Sequence, residues 1–301
     1  MDMSSNPSAQ ITAGTPARRP PPPAHLLTLL RAGLHMSQIM PAKWATRVAA
    51  RLFCTPVPSK LASRRFAPPT GVRVESLPFE QASLTLYHWP APKDAPQLLM
   101  THGWGGWGLQ LTALAEALSA AGWAVVLIDQ PAHGRSAAWR STLPQFARAL
   151  GYAAARLGRV QTVIGHSMGG AAACIAAANG LNLHKLVLIS APISMIQVTH
   201  EYATAFGLRE KLRANMVSYL EGREGMVFER MDAIHTAPRI NAPTLVVHDR
   251  EDSVVPYAAA QTLIENLPDA RLLETSGLGH RRVLKDPSVI HAVTQFLGPV
   301  N

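Results

Sequence analysis

Cysteine is nearly absent: Cys54 and Cys174 are the two among 301 residues. Two thiols build no disulfide framework, which excludes the stapled scaffold of a small secreted domain and makes a reducing, cytoplasmic setting the expectation. No apolar run approaches the roughly 20 residues of a membrane span. Arg18-Arg19 is followed by Pro20 to Pro23 in place of an apolar stretch, so a secretion signal is not expected, although the Arg-rich beginning has the flavour of a transit peptide. Acidic residues are scarce in the same region. Residues 1–70 hold nine Lys or Arg against Asp2 alone, and so carry eight of the nine net positive charges. The rest of the chain is close to neutral. Its basic residues are neither interleaved with aromatics nor set in a binding motif, so nucleic acid is not an expected partner.

What is present is a regular alternation of two periodicities. Apolar β-type runs fall at 71–76, 83–88, 97–101, 124–129, 161–166, 185–190, 243–248 and 270–274, with helical stretches at 109–121, 142–157, 169–179, 257–266 and 287–296. Such alternation implies α/β architecture, with a mostly parallel central sheet covered by helices on both faces. Residues 191–241 interrupt it with helix-like runs at 198–206, 208–221 and 226–235. Connections in such folds usually span about 2–6 residues, so this reads as an inserted segment. Ahead of the sheet, 1–24 read as disordered and 25–70 as a basic helical segment with amphipathic stretches at 25–39 and 41–53. In the second, Lys43, Arg47 and Arg51 share one face, and Trp44, Val48 and Leu52 the adjoining one. A helix of this kind either lies on an anionic membrane or docks its apolar face on its own chain.

The most informative residues are Gly165-His166-Ser167-Met168-Gly169-Gly170, entered from the β-type run Gln161-Thr162-Val163-Ile164 and left into an Ala-rich helix. Strand, Gly-x-Ser-x-Gly and helix together make a nucleophile elbow, a sharp turn that exposes a serine Oγ at the tip of a sheet. A serine hydroxyl needs a histidine to take its proton, and the histidine needs a carboxylate behind it. Two later strands end in loops that offer both. Ala242-Pro243-Thr244-Leu245-Val246-Val247-His248 runs into Asp249, Glu251 and Asp252; Arg271-Leu272-Leu273-Glu274 is followed by Ser276-Gly277-Leu278-Gly279-His280.

Together these motifs resemble the α/β-hydrolase superfamily, near its serine-aminopeptidase-like and carboxylesterase-like groups. In that family the acid loop commonly reads His-Gly-x-x-Asp-x-x-Val-Pro. Here it is His248-Asp249-Arg250-Glu251-Asp252-Ser253-Val254-Val255-Pro256. The resemblance places the acid at Asp252 and the base at His280. Asp249 departs from the family's Gly and reads as a turn residue. Thr101-His102-Gly103-Trp104-Gly105-Gly106 resembles the family's His-Gly-x motif, which puts the oxyanion-stabilising N–H groups on Trp104 and Met168, with His102, Gly103, Gly165 and Gly169 in support. A phosphate loop would need Gly-Lys-Ser/Thr, which is missing. Asp129-Gln130-Pro131-Ala132-His133-Gly134-Arg135-Ser136 matches another family segment and reads as an architectural loop on the oxyanion side.

The resemblance thus implies an α/β-hydrolase domain over 71–301, with 191–241 as a short helical cap over the serine. Tyr202, Phe206, Met216 and Tyr219 are candidates to line its pocket or to pack its core. It further implies a serine hydrolase working through a Ser167–Asp252–His280 triad and an acyl-enzyme, without metal or organic cofactor. The expected substrate is an ester of a small to medium acyl group. Amides, thioesters and C–C bonds are cleaved by the same chemistry, and a non-catalytic ligand-binding protein on this scaffold is the alternative of another class.

Overall fold

The structure, a computed structural model, describes residues 41–56 and 65–300 together with the isolated positions 32, 39, 60 and 63. The expected disorder of 1–24 lies outside the described residues, as does the stretch 25–39 apart from Ala32 and Ile39.

Eight strands form one sheet: β1 (Arg73–Phe79), β2 (Ala82–His88), β3 (Gln97–Thr101), β4 (Ala124–Asp129), β5 (Val160–His166), β6 (Lys185–Ile189), β7 (Thr244–Asp249) and β8 (Ala270–Thr275). Their spatial order is β1-β2-β4-β3-β5-β6-β7-β8. β1 and β2 pair antiparallel, and β2 pairs antiparallel with β4; every later pairing is parallel. The apolar runs of the sequence follow from this position, because β3 to β7 are buried on both sides.

Helices α2 (Thr112–Ala120) and α10 (Pro287–Leu297) cover one face; α3 (Leu143–Leu157), α4 (Met168–Ala178) and α8 (Ala258–Asn266) cover the other. Each face has its own core. Leu98, Met100, Leu127 and Ile164 point into one, and Leu99, Val126, Ile128 and Val163 into the other, as the strand period of two requires. Cap chemistry fixes the helix ends. α3 starts where Thr142 Oγ1 accepts from Gln145 N (3.3 Å) and stops at Gly158, whose φ of 79° only glycine adopts readily.

Between β6 and β7 lies the inserted segment. α5 (Met195–Phe206) and α6 (Glu210–Glu224) form helices slightly longer than expected. The expected helix over 226–235 is broken into a 3-10 turn, Phe228–Met231, and the short α7, Ala233–Thr236. Asp232 sits between them in extended backbone, and its carboxylate accepts from Met195 N at the start of α5 (3.0 Å), which ties the ends of the cap together.

The second amphipathic stretch forms α1 (Ala42–Phe53). Its buried residues Ala45, Thr46, Ala49 and Ala50 lie against α6, and Ala45, Ala49, Ala50 and Cys54 join the same core as the cap. Trp44 and Arg51 remain exposed, and residues 66–72 run on without regular structure into β1. Among the described residues no helix is long and apolar enough to cross a membrane.

β3 connects outward to β4, while β5 leads the other way to β6, β7 and β8. The chain therefore changes direction between β3 and β5. A crevice opens at the carboxyl ends of strands at such a point, where ligands bind in open α/β sheets.

Candidate active site

Ser167 follows β5 at the lip of that crevice. Its backbone sits at φ 54° and ψ −128°, a region disfavoured for a residue with a Cβ. Two hydrogen bonds hold it there. Ser167 N donates to Ile189 O of β6 (2.8 Å), and Gly170 N in the first turn of α4 donates back to Ser167 O (2.8 Å). The glycines on either side allow close approach. A Cβ on Gly165 would lie 2.6 Å from Gly169 O, and one on Gly169 2.5 Å from His102 O. The Ser167 side chain lines a cavity shared with His280. Among the described residues its hydroxyl has no hydrogen-bond partner, and in ligand-free hydrolases this bond is often formed only with substrate bound.

The acid loop sorts its three carboxylates. Asp252 is buried, with Oδ1 accepting from Val254 N (2.8 Å) and Val255 N (3.0 Å) and Oδ2 from His280 Nδ1 (2.8 Å). Burial alone would raise its pKa, but the His280 hydrogen bond and the two amides outweigh it and hold the carboxyl well below the usual range. Glu251 is exposed and accepts from Ser276 Oγ (2.8 Å).

Asp249 is more than a turn residue, although its carbonyl accepts from Asp252 N (3.1 Å) across the turn. It ends β7, fully buried, and accepts from Glu251 N (3.0 Å), Thr275 Oγ1 (2.7 Å) and Leu278 N (2.9 Å). One carboxylate thereby pins the loop that carries Asp252 to the loop that carries His280. Burial would raise its pKa too, but these donors lower it on balance.

His280 lies in a four-residue helix, α9 (Gly279–Arg282), where the sequence indicates only a loop. Because Nδ1–H is given to Asp252, Nε2 is left as the ring's acceptor. The backbone of His280 is held from below, with His166 Nε2 donating to its carbonyl (2.9 Å) and the two rings 4.7 Å apart. Burial, reinforced by His280, pushes the His166 pKa down to about 3, so this ring is a neutral strut. His248 has a parallel task, donating from Nε2 to Val255 O (2.9 Å) behind Asp252.

The loop after β3 is set by two more neutral histidines. His102 Nδ1 donates to Gly103 O (2.7 Å), and its Nε2 accepts from Gln130 N (3.1 Å). His133 Nδ1 donates to Pro131 O (2.9 Å), and its Nε2 accepts from Gly105 N (3.0 Å). Burial lowers both pKa values, and these hydrogen bonds fix the tautomers. Gly103 is required by contact, since a Cβ there would meet Ser167 Cβ at 2.6 Å. Asp129, fully buried, accepts from Tyr87 Oη (2.8 Å), Gly108 N (2.6 Å) and Arg135 N (2.7 Å), which makes the 129–136 segment a brace for this loop. With Gly105 N engaged, the amides of Trp104 and Met168 remain without protein partners among the described residues, and both residues line the cavity.

That cavity encloses about 1700 Å³ and is lined mostly by apolar side chains. It exceeds the roughly 300–1,000 Å³ of common small-molecule sites. Tyr202 and Phe206 line it, whereas Met216 is wholly buried in the core under α1 and Tyr219 faces a separate surface pocket beside α1. The size expected from a short cap is exceeded because α1 supplies part of the wall: Leu52, Phe53 and Cys54 reach the cavity, and the Phe53 ring meets Tyr202 edge-on at 5.0 Å.

Residues 96–231 match the family model described as alpha/beta hydrolase fold, and residues 226–299 one described as TAP-like protein. A curated relative, RutD of Pseudomonas savastanoi pv. phaseolicola, provisionally named a carbamate hydrolase, is 30% identical over 116 residues, which cover 34% of this chain and 44% of its own. The chain thus spans less than half the length of that relative. Among solved structures, the provisionally assigned lipase lip1 from Acinetobacter baumannii AYE superposes with a TM-score of 0.61 at 19% identity, over 75% of this chain and 91% of its own. A membrane phospholipase A described as a bacterial virulence factor superposes with a TM-score of 0.59 at 19% identity, over 91% of this chain and 97% of its own. Likeness at these identities speaks for the fold.

Proposed function

Because the chain belongs to the α/β-hydrolase superfamily, we propose that it is a serine hydrolase that cleaves carboxylic esters through an acyl-enzyme on Ser167. One observation carries the reading: the 2.8 Å bond from His280 Nδ1 to a buried Asp252, in a cavity shared with a serine held at φ 54°. Asp252 keeps the imidazole in the tautomer whose Nε2 can accept the Ser167 proton as Oγ attacks. The Trp104 and Met168 amides then receive the charge developing on the carbonyl oxygen, each donor worth about 3–4 kcal/mol in such sites. His280 protonates the leaving group, and water activated by the same ring releases the acid. These steps use protein groups and water.

Ester cleavage is put ahead of amide, thioester and C–C cleavage on the resemblance of the motifs to carboxylesterase-like members of the superfamily. The size of the cavity favours an acyl chain longer than the small to medium group expected from the cap. Wild-type protein is expected to be labelled by a fluorophosphonate probe, with labelling abolished in both Ser167→Ala and His280→Ala. A folded wild-type protein that takes no label would sink the mechanism and leave ligand binding as the better reading.

Peripheral membrane contact through the face of α1 bearing Lys43, Trp44, Arg47 and Arg51 is proposed with it. The side bearing Ala45, Ala49 and Ala50 is already covered by α6, so the contact rests on these cations and the exposed Trp44. Salt-sensitive retention on anionic liposomes is the expected result, and passage without retention at low salt would end the idea.

A further inference from the structure

The two sides of the cavity differ in chemistry. On one side Leu52, Phe53, Ile193, Val198, Tyr202 and Phe206 line it and pack onto the core shared by α1, α4 and the cap. On the other side Leu278 and Leu284 pack onto the core beneath α2 and α10, and there the lining turns cationic with Arg281, Arg282 and Lys285. These three lie within five residues of the turn that directly follows His280, in a part of the chain that is otherwise nearly neutral.

Their charge is not neutralised locally. Arg282 donates from Nε to Leu278 O (2.9 Å) and also reaches Gly277 O, and both acceptors are uncharged carbonyls. Arg281 and Lys285 have no acidic partner among the described residues. The neighbouring acid, Asp286, lines the same side but is turned to the start of α10, where it accepts from Ser288 N (2.9 Å) and Val289 N (3.2 Å). Glu201 lines the opposite, cap side and accepts from Gln197 Nε2 (3.4 Å). A cleft with apolar walls and cations of one sign at one end concentrates anions at that end.

Resting on the serine hydrolase reading, we propose that the substrate joins a long apolar acyl chain to an anionic leaving group. The chain occupies the α1–α5 side, and the anion, a phosphate or carboxylate, lies against Arg281 and Lys285. The covalent steps are those of the hydrolysis. The acyl C–O or C–S bond breaks, Ser167 Oγ takes the acyl group, the leaving atom takes its proton from His280, and water then releases the acid. Two sources offer this chemistry: a lipid whose ester is followed by a phosphodiester, and a soluble acyl thioester that carries phosphates.

The test uses the full chain and two ester series with four-, eight- and twelve-carbon acyl groups. One is on 2-nitrophenol; the other is on 3-hydroxy-4-nitrobenzoate, which adds a carboxylate to the same leaving group. Values of kcat/KM are normalised to spontaneous hydrolysis. Wild type is expected to favour longer chains in both series and to favour the anionic leaving group by about five- to tenfold, a preference lost at high salt. In Arg281→Gln/Lys285→Gln the anionic-to-neutral ratio should fall to near one. In Lys93→Gln/Arg156→Gln, which removes the same charge at the opposite end of the sheet, it should stay at the wild-type value. A ratio unaltered in the first pair, or lowered equally in both, overturns the proposal while leaving the hydrolase reading intact; a folded protein inactive on every ester overturns the hydrolase reading itself. Monomeric dioctanoyl phosphatidylglycerol and octanoyl-coenzyme A separate the two sources, because turnover of the true class should drop in Arg281→Gln/Lys285→Gln. If neither is turned over, the anionic leaving group is wrong.

Discussion

Asp252→Asn is expected to lower kcat by about 10³–10⁴ with little change in KM, since the loss falls on the transition state. The substitution is nearly isosteric. Asn Oδ1 can still accept from Val254 N and Val255 N, now at 2.8 and 3.0 Å, so the loop keeps its shape. What changes is the group facing His280: an amide NH₂ in place of Oδ2 favours the tautomer with its proton on Nε2, which cannot take a proton from Ser167. The same carboxylate gives a signature in stability. Its pKa in the fold lies below the ordinary 3.8, as the His280 hydrogen bond and the two amides overcome burial. A depressed carboxyl pKa stabilises the native state above the unfolded value, and that contribution fades as pH falls toward the folded value. In urea titrations the gap between wild type and Asp252→Asn should therefore be widest near neutrality and narrow below about pH 4. An equal gap at pH 7 and pH 3.5 would mean that the carboxylate is not held as an anion, and an undiminished kcat would remove Asp252 from the mechanism.

Much of this architecture is legible in the order of the amino acids. β3 and β4 fall on the expected residues, and most other strands within a residue or two, because a strand buried on both faces leaves an unbroken apolar run. The motif residues Ser167, His280 and Asp252 stand out through the strands that precede them, since loops at strand ends are short and tie sequence position to space. Where function depends on contacts between distant loops, the sequence carries no such signal. Asp249 has the pattern of a turn residue; that Thr275 and Leu278 converge on it is a property of the β7–β8 pairing. His166 stands inside the elbow motif, yet its service to the His280 carbonyl spans 114 positions. The periodicity of α1 is clear, but not which surface it covers. An amphipathic pattern reports that a face is buried and is silent on the partner, so the part of α1 in the cavity wall, and with it the cavity's size, leaves no trace in the pattern.

Gly165→Ala and Ser167→Gly are expected to move stability in opposite directions although two residues apart. At Gly165 the new Cβ would lie 2.6 Å from Gly169 O and Gly170 Cα and 2.7 Å from Gly169 C, all backbone atoms of the first turn of α4. That turn cannot retreat, because Met168 to Gly170 are buried and a Cβ-less Gly169 already lies against the backbone of His102 and Thr101. Overpacking of this kind costs about 1–3 kcal/mol and, here, displaces the helix end that presents the Met168 amide. Gly165→Ala should thus lose both urea resistance and most activity. Ser167 is the reverse case, a side chain kept at φ 54° by its surroundings. Such strain amounts to about 1–3 kcal/mol, and glycine relieves it while giving back about 0.4–1 kcal/mol in unfolded-state entropy. Ser167→Gly should be inactive yet more stable than Ser167→Ala, which loses the hydroxyl but keeps the Cβ. Denaturation midpoints of these three variants against wild type decide the matter. A glycine variant no more stable than the alanine one would mean that the elbow stores no strain, and a Gly165→Ala protein as stable as wild type would mean that α4 can move. If both signs hold, stability is given up at the one residue where exposing a nucleophile requires it and defended at the neighbours that keep it exposed.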